Sequence, residues 1–527
     1  MEKISAIAKK LSIEEDSLTL YGNSIAKVDS SSVSSNQNGK IILMTAMTPT
    51  KAGEGKTTVS IGLGDALAKL GKRVTLCLRE PSLGPVFGVK GGGAGGGEST
   101  LYPEDDINLH FTGDFHAITS ANNLIAACID NEIFQNSDLH IDPQRVTFQR
   151  AMDMNDRSLR DIDTCLAPKT GPEHHSSFVI TAACEMMSCF CLAKDEEDFY
   201  ERVDSMTIGF NTDGKRLFVR DLHIGNAIRK LMDRALIPNL AQTKYGTPAF
   251  VHGGPFANIS IGTNTIRSTR LGQKVADYVV TEGGFGADLG MEKYLDIVSP
   301  QAGFQPSLVV LVCSCRALKM HGGASFDDCS LPDIEKLETG LKNLDHHVNT
   351  VKKYGLPVLV AINRFPSDTQ EELEFVKEHL SSIGVDSEIS SAFIDGPDGA
   401  LNLAKKAVEL VEEPNCYSPI VKKSDSYFEK IEKIAKEVYG AGEVVYENQT
   451  DDKIRKFIDE GYGDFDVCIS KTPNSLSDSN KLLNDPQGHT LHIRDVLMYT
   501  GARLLVPLTG SVVTMPGLPK VPRAKTL

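Results

Sequence analysis

Short apolar runs alternate with helix-spaced segments along most of the chain. Ile41–Met44 (IILM) opens a strand pattern, and Val59–Leu70 follows with helical spacing, closed by Gly71 as a C′ residue. Lys72–Leu78 (KRVTLCL) reads as the next strand, so the three segments predict one βαβ unit. Ser307–Cys315 (SLVVLVCSC) and Leu356–Ile362 (LPVLVAI) are continuous apolar runs, the pattern of strands buried on both faces of a parallel sheet. Pro248–Thr263 and Tyr278–Gly290 each read as a strand entering a glycine-rich loop. Leu337–Tyr354, Glu371–Leu380, Leu401–Val411 and Ser426–Val438 have helical spacing, as does Ala117–Ile129. Phe178–Leu192 predicts one long apolar helix, and Asp106–Phe111 alternates as a strand does. Short strands return near Asp466–Ser470 and Ala502–Leu508. The first eighteen residues have an amphipathic, charged helix pattern, and Ser30–Gly39 (SSSVSSNQNG) reads as a polar linker.

Length and composition narrow this picture. A chain of 527 residues predicts about three domains. Its 41% hydrophobic and 24% charged content is that of an ordinary globular protein. A net charge of −15 argues against a broad nucleic-acid or anionic-membrane surface. No run reaches the roughly 18 apolar residues of a membrane span, and the N-terminus lacks an apolar signal core. Eleven scattered cysteines without a paired CxxC spacing fit buried free thiols in a reducing cytoplasm.

The stretch Ile41–Thr58 (IILMTAMTPTKAGEGKTT) carries the first chemistry. A strand, a glycine turn and a helix in that order form a phosphate cradle, with backbone N–H groups and the helix N-terminus facing the anion. The usual motif has glycine where Thr50 stands, so the match is one of context rather than strict pattern. Thr50, Lys51, Ala52, Gly53, Glu54, Gly55, Lys56 and Thr57 are the candidate nucleotide-binding residues. Lys56 would reach the β/γ-phosphates and the Thr57 hydroxyl would meet Mg²⁺.

Other polar groups follow strand ends. Arg79 and Glu80 end the second strand and face the crevice in a doubly wound sheet. Val89–Thr100 (VKGGGAGGGEST) is either a mobile linker or a loop where backbone approaches a ligand. His110, Asp114 and His116 gather around one turn as an acid/base or metal-linked cluster, or Asp114 caps a helix while the histidines pack. Asp153–Arg157 with Arg160 reads as a solvated charged face. Glu282, Phe285 and Asp288 lie at another crevice edge, and Asn363 is a base-reading corner or an Asx turn. A phosphate loop leaves a switch NTPase, a kinase and an ATP-driven ligase open. Polar loops from Arg79 to Asp368 favour a deep pocket for several small molecules.

The sequence resembles the formate–tetrahydrofolate ligase family over essentially its whole length. The resemblance rests on Thr48–Thr58, Arg79–Gly97, Glu104–Asp130, His252–Ile259, Val280–Gly290, Arg316–Gly323, Ala361–Thr369 and Thr514–Lys520. It implies an α/β fold: a P-loop-containing parallel-sheet domain with two further α/β domains, divided here as 1–98 with 282–378, 99–281, and 379–527. It also implies a homotetramer acting in one-carbon metabolism. Mg-ATP would phosphorylate formate, and N10 of tetrahydrofolate would attack the formyl phosphate. By this resemblance Lys56, Arg79 and Asp114 are catalytic: Lys56 on the phosphates, Arg79 on formate and formyl phosphate, Asp114 placing the folate amine or taking its proton. Phe285, Phe365 and Phe393 would line the pterin pocket. ATP, Mg²⁺ and tetrahydrofolate are the expected ligands, with a monovalent cation as a further candidate; nucleic acid and membrane are not expected partners. Two positions depart from the family: Lys51 stands for a common proline, and Phe393 for a stacking tryptophan. They leave a second reading open, a paralogue that binds nucleotide or folate without efficient ligation or uses another acyl acceptor.

Overall fold

The computed structural model describes residues 1–33, 35, 37–88 and 92–526. Val89, Lys90 and Gly91 of the glycine-rich stretch, and Ser34 and Asn36 of the polar linker, lie outside the described residues.

A twelve-stranded sheet organises the molecule. Its main path runs Leu18–Tyr21, Ile25–Val28, Asn239–Thr243, Pro248–Val251, Val74–Leu78, Tyr278–Glu282, Lys40–Ala46, Pro306–Cys313, Val358–Asn363 and Asp386–Ser390. From Pro248–Val251 onward all neighbours are parallel. Strands of the segment expected as a second domain, Asn239–Thr243 through Tyr278–Glu282, belong to this same sheet. The expected βαβ unit is present as Lys40–Ala46, the helix Lys56–Lys69 and Val74–Leu78, with Tyr278–Glu282 inserted between its strands.

The central strands are apolar because both faces are covered. Along Lys40–Ala46, Ile42, Met44 and Ala46 join one core with Val59, Leu63 and Leu67 of the first crossover helix. Leu43 and Met47 join the other, with Leu344 and Val348 of the helix Ile334–Lys353. This is the period-2 alternation of a strand sandwiched between two helical layers. Each such Val, Ile, Leu or Met side chain stabilises the fold by about 1.5–3 kcal/mol on full burial.

Beside the sheet, a smaller sheet of Arg216–Phe218, Thr207–Asn211 and Ile141–Val146 shares a core with the helix Asp114–Gln135. A four-stranded C-terminal sheet pairs Glu443–Tyr446, Thr490–Tyr499, Leu504–Thr509 and Asp466–Val467. It packs on Tyr427, Ile431 and Ile434.

Three local expectations are corrected. Asp106–Phe111 is not a strand: Glu104–Asn108 is a helical turn, favoured by three acidic residues in its first turn. Phe178–Leu192 is not one helix. Phe178–Ile180 pairs with Arg150–Met152, and the helix begins only at Glu185, where Cys184 Sγ accepts from Met187 N. The Asp153 cluster is a solvated face only in part: Arg157 is exposed, but Asp153 accepts from Ser82 Oγ and Leu83 N, and Asn155 is buried. Among the described residues, no helix is long and apolar enough to cross a membrane.

Candidate active site

Three adjacent parallel strands deliver charged groups to one edge of the sheet. Lys40–Ala46 leads into the turn before Lys56, Tyr278–Glu282 ends in a carboxylate, and Val74–Leu78 ends at Arg79. In doubly wound sheets this C-terminal edge is where ligands bind.

The Thr48–Thr58 turn is closed by its own residues. Glu54 Oε1 accepts from Thr50 N at 2.7 Å, and Ala52 N donates to Thr50 Oγ1 at 3.2 Å. Gly55 precedes the helix with φ +74°, and its Cα lies so near Asn363 that a Cβ would overlap Nδ2 of that side chain. Only glycine meets both demands. Asn363 donates from Nδ2 to Glu54 O at 2.9 Å, so it braces this turn. Lys51 is exposed at the tip and Gly53 has φ +74°.

Lys56, first residue of its helix, donates from Nζ to Phe285 O at 2.9 Å and to Gly283 O. Thr57 Oγ1 donates to Glu282 Oε2 at 3.2 Å. Arg79 Nη1 donates to Pro255 O at 3.0 Å. Burial lowers the guanidinium below its ordinary pKa, and Glu282 opposes that shift; an arginine remains charged throughout. Among the described residues, Arg79 Nε and Glu282 Oε1 are buried without hydrogen-bond partners. The arrangement thus brings Lys56, Glu282 and Arg79 to one sheet edge, with unspent polar capacity at Arg79 Nε and Glu282 Oε1.

Asp114 sits apart from His110 and His116, which are exposed, so the expected polar trio does not assemble. Among the described residues, no group of three or more His, Cys, Asp or Glu could hold a metal ion. Asp114 opens the helix Asp114–Gln135, and its carboxylate is 2.8 Å from Lys27 Nζ and 2.7 Å from Asn239 Nδ2. Burial pushes this carboxyl above the usual range, while Lys27 and Asn239 draw it back. Neighbouring Glu80 is also buried, and burial together with Asp114 pushes its carboxyl well up. Lys27 was hidden in the sequence as one polar letter in Ile25–Val28, a strand buried at all four positions.

The three aromatic candidates take different places. Phe285 is half-buried at φ +58°, a strained conformation for a bulky residue. Phe365, two strands beyond the Lys56 strand, lies under the Arg316 guanidinium, whose Cζ is 4.9 Å from the ring centroid. Phe393 is 47% exposed and packs against Gly96 and Gly97, with Glu98 N donating to Phe393 O at 2.9 Å. The glycine-rich segment is therefore a close backbone approach at this point, with Gly95–Gly96 paired to Ser99–Thr100.

The family model described as "Formate--tetrahydrofolate ligase" matches residues 1–527. Proteins of that name from three bacteria are similar over nearly their full lengths. The one from Symbiobacterium thermophilum is 47% identical over 532 residues, covering 100% of this chain and 96% of its own. That from Pelagibacter ubique is 46% identical over 534 residues, covering 100% and 95%. That from Thermosipho africanus is 48% identical over 528 residues, covering 99% and 95%.

Proposed function

The chain belongs to the formate–tetrahydrofolate ligase family, and from that premise we propose that it joins formate to tetrahydrofolate with ATP, through formyl phosphate. The observation that carries the reading is the trio of Glu282 and Arg79 at the ends of adjacent strands and Lys56 at the start of the helix that follows the third. Phosphoryl transfer asks chiefly for positioned cations on both sides of the moving group.

Lys56 would hold the phosphates of ATP and stabilise charge as the γ-phosphoryl group leaves. Arg79 would hold formate, so that a formate oxygen attacks phosphorus as the bond to ADP breaks. N10 of tetrahydrofolate then attacks the formyl carbon, phosphate departs, and N10 gives up its proton. The adjacent Thr57 hydroxyl and Glu282 carboxylate, with Glu282 Oε1 unpartnered, fit a Mg²⁺ ion that takes its remaining ligands from phosphate and water. Mg²⁺ there would neutralise phosphate charge. Asp114, with both oxygens engaged by Lys27 and Asn239, suits placing the folate amine rather than accepting its proton. Phe285, Phe365 and Phe393 would supply pterin-stacking surface. A homotetramer and a cytoplasmic location belong to the same reading; eleven free cysteines support the latter.

The test is to incubate the protein with Mg-ATP, formate and tetrahydrofolate and follow acid conversion to the methenyl product. Product formation that Arg79→Ala abolishes is expected. Formate-dependent phosphate release without tetrahydrofolate would instead support a different acyl acceptor, a reading no observation in the site favours.

A further inference from the structure

The carbonyls that hold Lys56 belong to a turn that folds back on itself. Gly283 N donates to Met44 O at 3.0 Å, and Gly290 N donates to Gly284 O at 3.0 Å. A Cβ at Gly290 would overlap Gly284 N, so the two chain segments meet backbone to backbone. The intervening residues include Phe285 at φ +58° and a π-helical turn, Ala287–Met291. A conformation of that kind persists only where its surroundings over-determine it.

A lysine far along the chain contributes to that determination. Lys471 Nζ lies 2.8 Å from Asp288 Oδ2, and neither side chain is exposed at all. The same ammonium donates to Thr472 O at 3.1 Å and to Ser475 O, and sits 5.0 Å from the Tyr439 ring centroid. Lys471 N donates to Asn258 O at 3.1 Å, fixing its backbone. The same C-terminal segment reaches the other strand end. Asn484 N donates to His321 Nδ1 at 3.1 Å, and His321 Nε2 donates to Thr48 O at 2.9 Å. Asn343 Nδ2 donates to both Thr48 Oγ1, at 3.0 Å, and Asn484 O, at 2.7 Å. Residues 471–484 therefore underlie both the Thr48 turn and the Gly283–Gly290 turn. A fully buried ion pair is a poor source of net stability, because desolvation offsets the attraction. Its value here is geometric.

We propose that Lys471 is a positioning residue for phosphoryl transfer: through Asp288 it fixes the Gly283–Gly290 turn and so the carbonyls that aim the Lys56 ammonium. The inference rests on the reading of Lys56 as the phosphate-binding lysine.

The experiment compares Lys471→Met, Lys471→Arg and the double variant Lys471→Met/Asp288→Asn with wild type. Steady-state constants for each substrate are measured beside the thermal midpoint. The double variant removes both charges and the contact between them without leaving a lone buried charge, so it tests the inference even where Lys471→Met does not fold. The expected result is a KM for Mg-ATP raised about tenfold or more, a lower kcat, and KM values for formate and tetrahydrofolate within about twofold, as for other supporting-shell residues. Lys471→Arg is expected to recover most of the loss. A folded double variant with wild-type constants for Mg-ATP, or KM values that rise together for all three substrates, would overturn it. Lys56→Ala serves as the control for the underlying reading: unchanged nucleotide kinetics in that variant would overturn the role of Lys56 itself.

Discussion

Lys27 Nζ and Asp114 Oδ1 are 2.8 Å apart, and both side chains are 1% exposed. Asn239 completes the cage, accepting from Lys27 at 2.8 Å and donating to Asp114 at 2.7 Å. Removing one member leaves the other buried and uncompensated. Lys27→Met is expected to cost about 3–5 kcal/mol of stability, read by denaturant unfolding. Lys27→Met/Asp114→Asn is expected to recover part of that. A single variant as stable as wild type would show that the pair is not a structural brace.

Gly284 lies beside the guanidinium assigned to formate. A Cβ there would come 2.8 Å from Arg79 Nη1 and 2.7 Å from the Ala257 Cβ. Gly284→Ala is therefore expected to displace Arg79 and raise KM for formate about tenfold or more, since small misplacements of a positioning group are costly. Nucleotide affinity, measured by titration calorimetry, should fall by less, because the neighbouring Gly283 and Phe285 carbonyls hold Lys56. Unchanged formate kinetics would separate Arg79 from formate binding.

Much of this architecture was legible in the sequence because its signals are local. Ile41–Met44 and Ser307–Cys313 lie in central strands, as their apolar character indicated, whereas Ser314 caps and Cys315 opens the helix Cys315–His321. Gly55 marked the turn before Lys56, and the glycines of Gly283–Gly290 marked the strand end that carries Glu282. Strand order was not legible, so the place of Tyr278–Glu282 between Lys40–Ala46 and Val74–Leu78 had to come from the fold. The ring at Phe393 gave no sign of its glycine partners, and nothing in the sequence set the charges at Lys27 and Lys471 apart. Their partners are 87 residues away for Lys27 and 183 for Lys471 (471 minus 288), and no sequence window spans that distance. Helix–strand errors at Asp106–Phe111 and Phe178–Leu192 arose where period-2 and period-3.6 patterns overlap in short segments.

Phe393 stands 47% exposed on the Gly96–Gly97 backbone, where a larger ring has room on its solvent side. An aromatic stacking contact is worth about 0.5–1.5 kcal/mol beyond area burial, or about two- to tenfold in affinity. Phe393→Ala should raise KM for tetrahydrofolate by about that factor, and Phe393→Trp should lower it. Steady-state titration of tetrahydrofolate at saturating Mg-ATP and formate decides it. Equal KM values across the three proteins would remove Phe393 from the pterin pocket.

Glu185 ties the helix Glu185–Leu192 to the C-terminal segment, its Oε1 accepting from Gly501 N at 2.7 Å and Ala502 N at 3.4 Å. Burial pushes its carboxyl from an ordinary 4.5 up to about 8, against the pull of those two N–H groups. The folded state therefore holds the proton more tightly than the unfolded state. The resulting stability is complete below about pH 4.5, declines as pH rises toward about 8, and is gone above it. Asp65 and Asp296, raised by burial to about 6 and about 7, slope in the same direction. Total stability is thus a poor readout, and the difference between two proteins is a good one. In Glu185→Gln the amide oxygen can still accept from Gly501 and Ala502, but nothing titrates. Its stability relative to wild type should rise across this window and level off above it, when both are unfolded by denaturant at a series of pH values. A constant difference would mean that Glu185 titrates normally, and that the junction with the C-terminal segment is held by an ionised carboxylate.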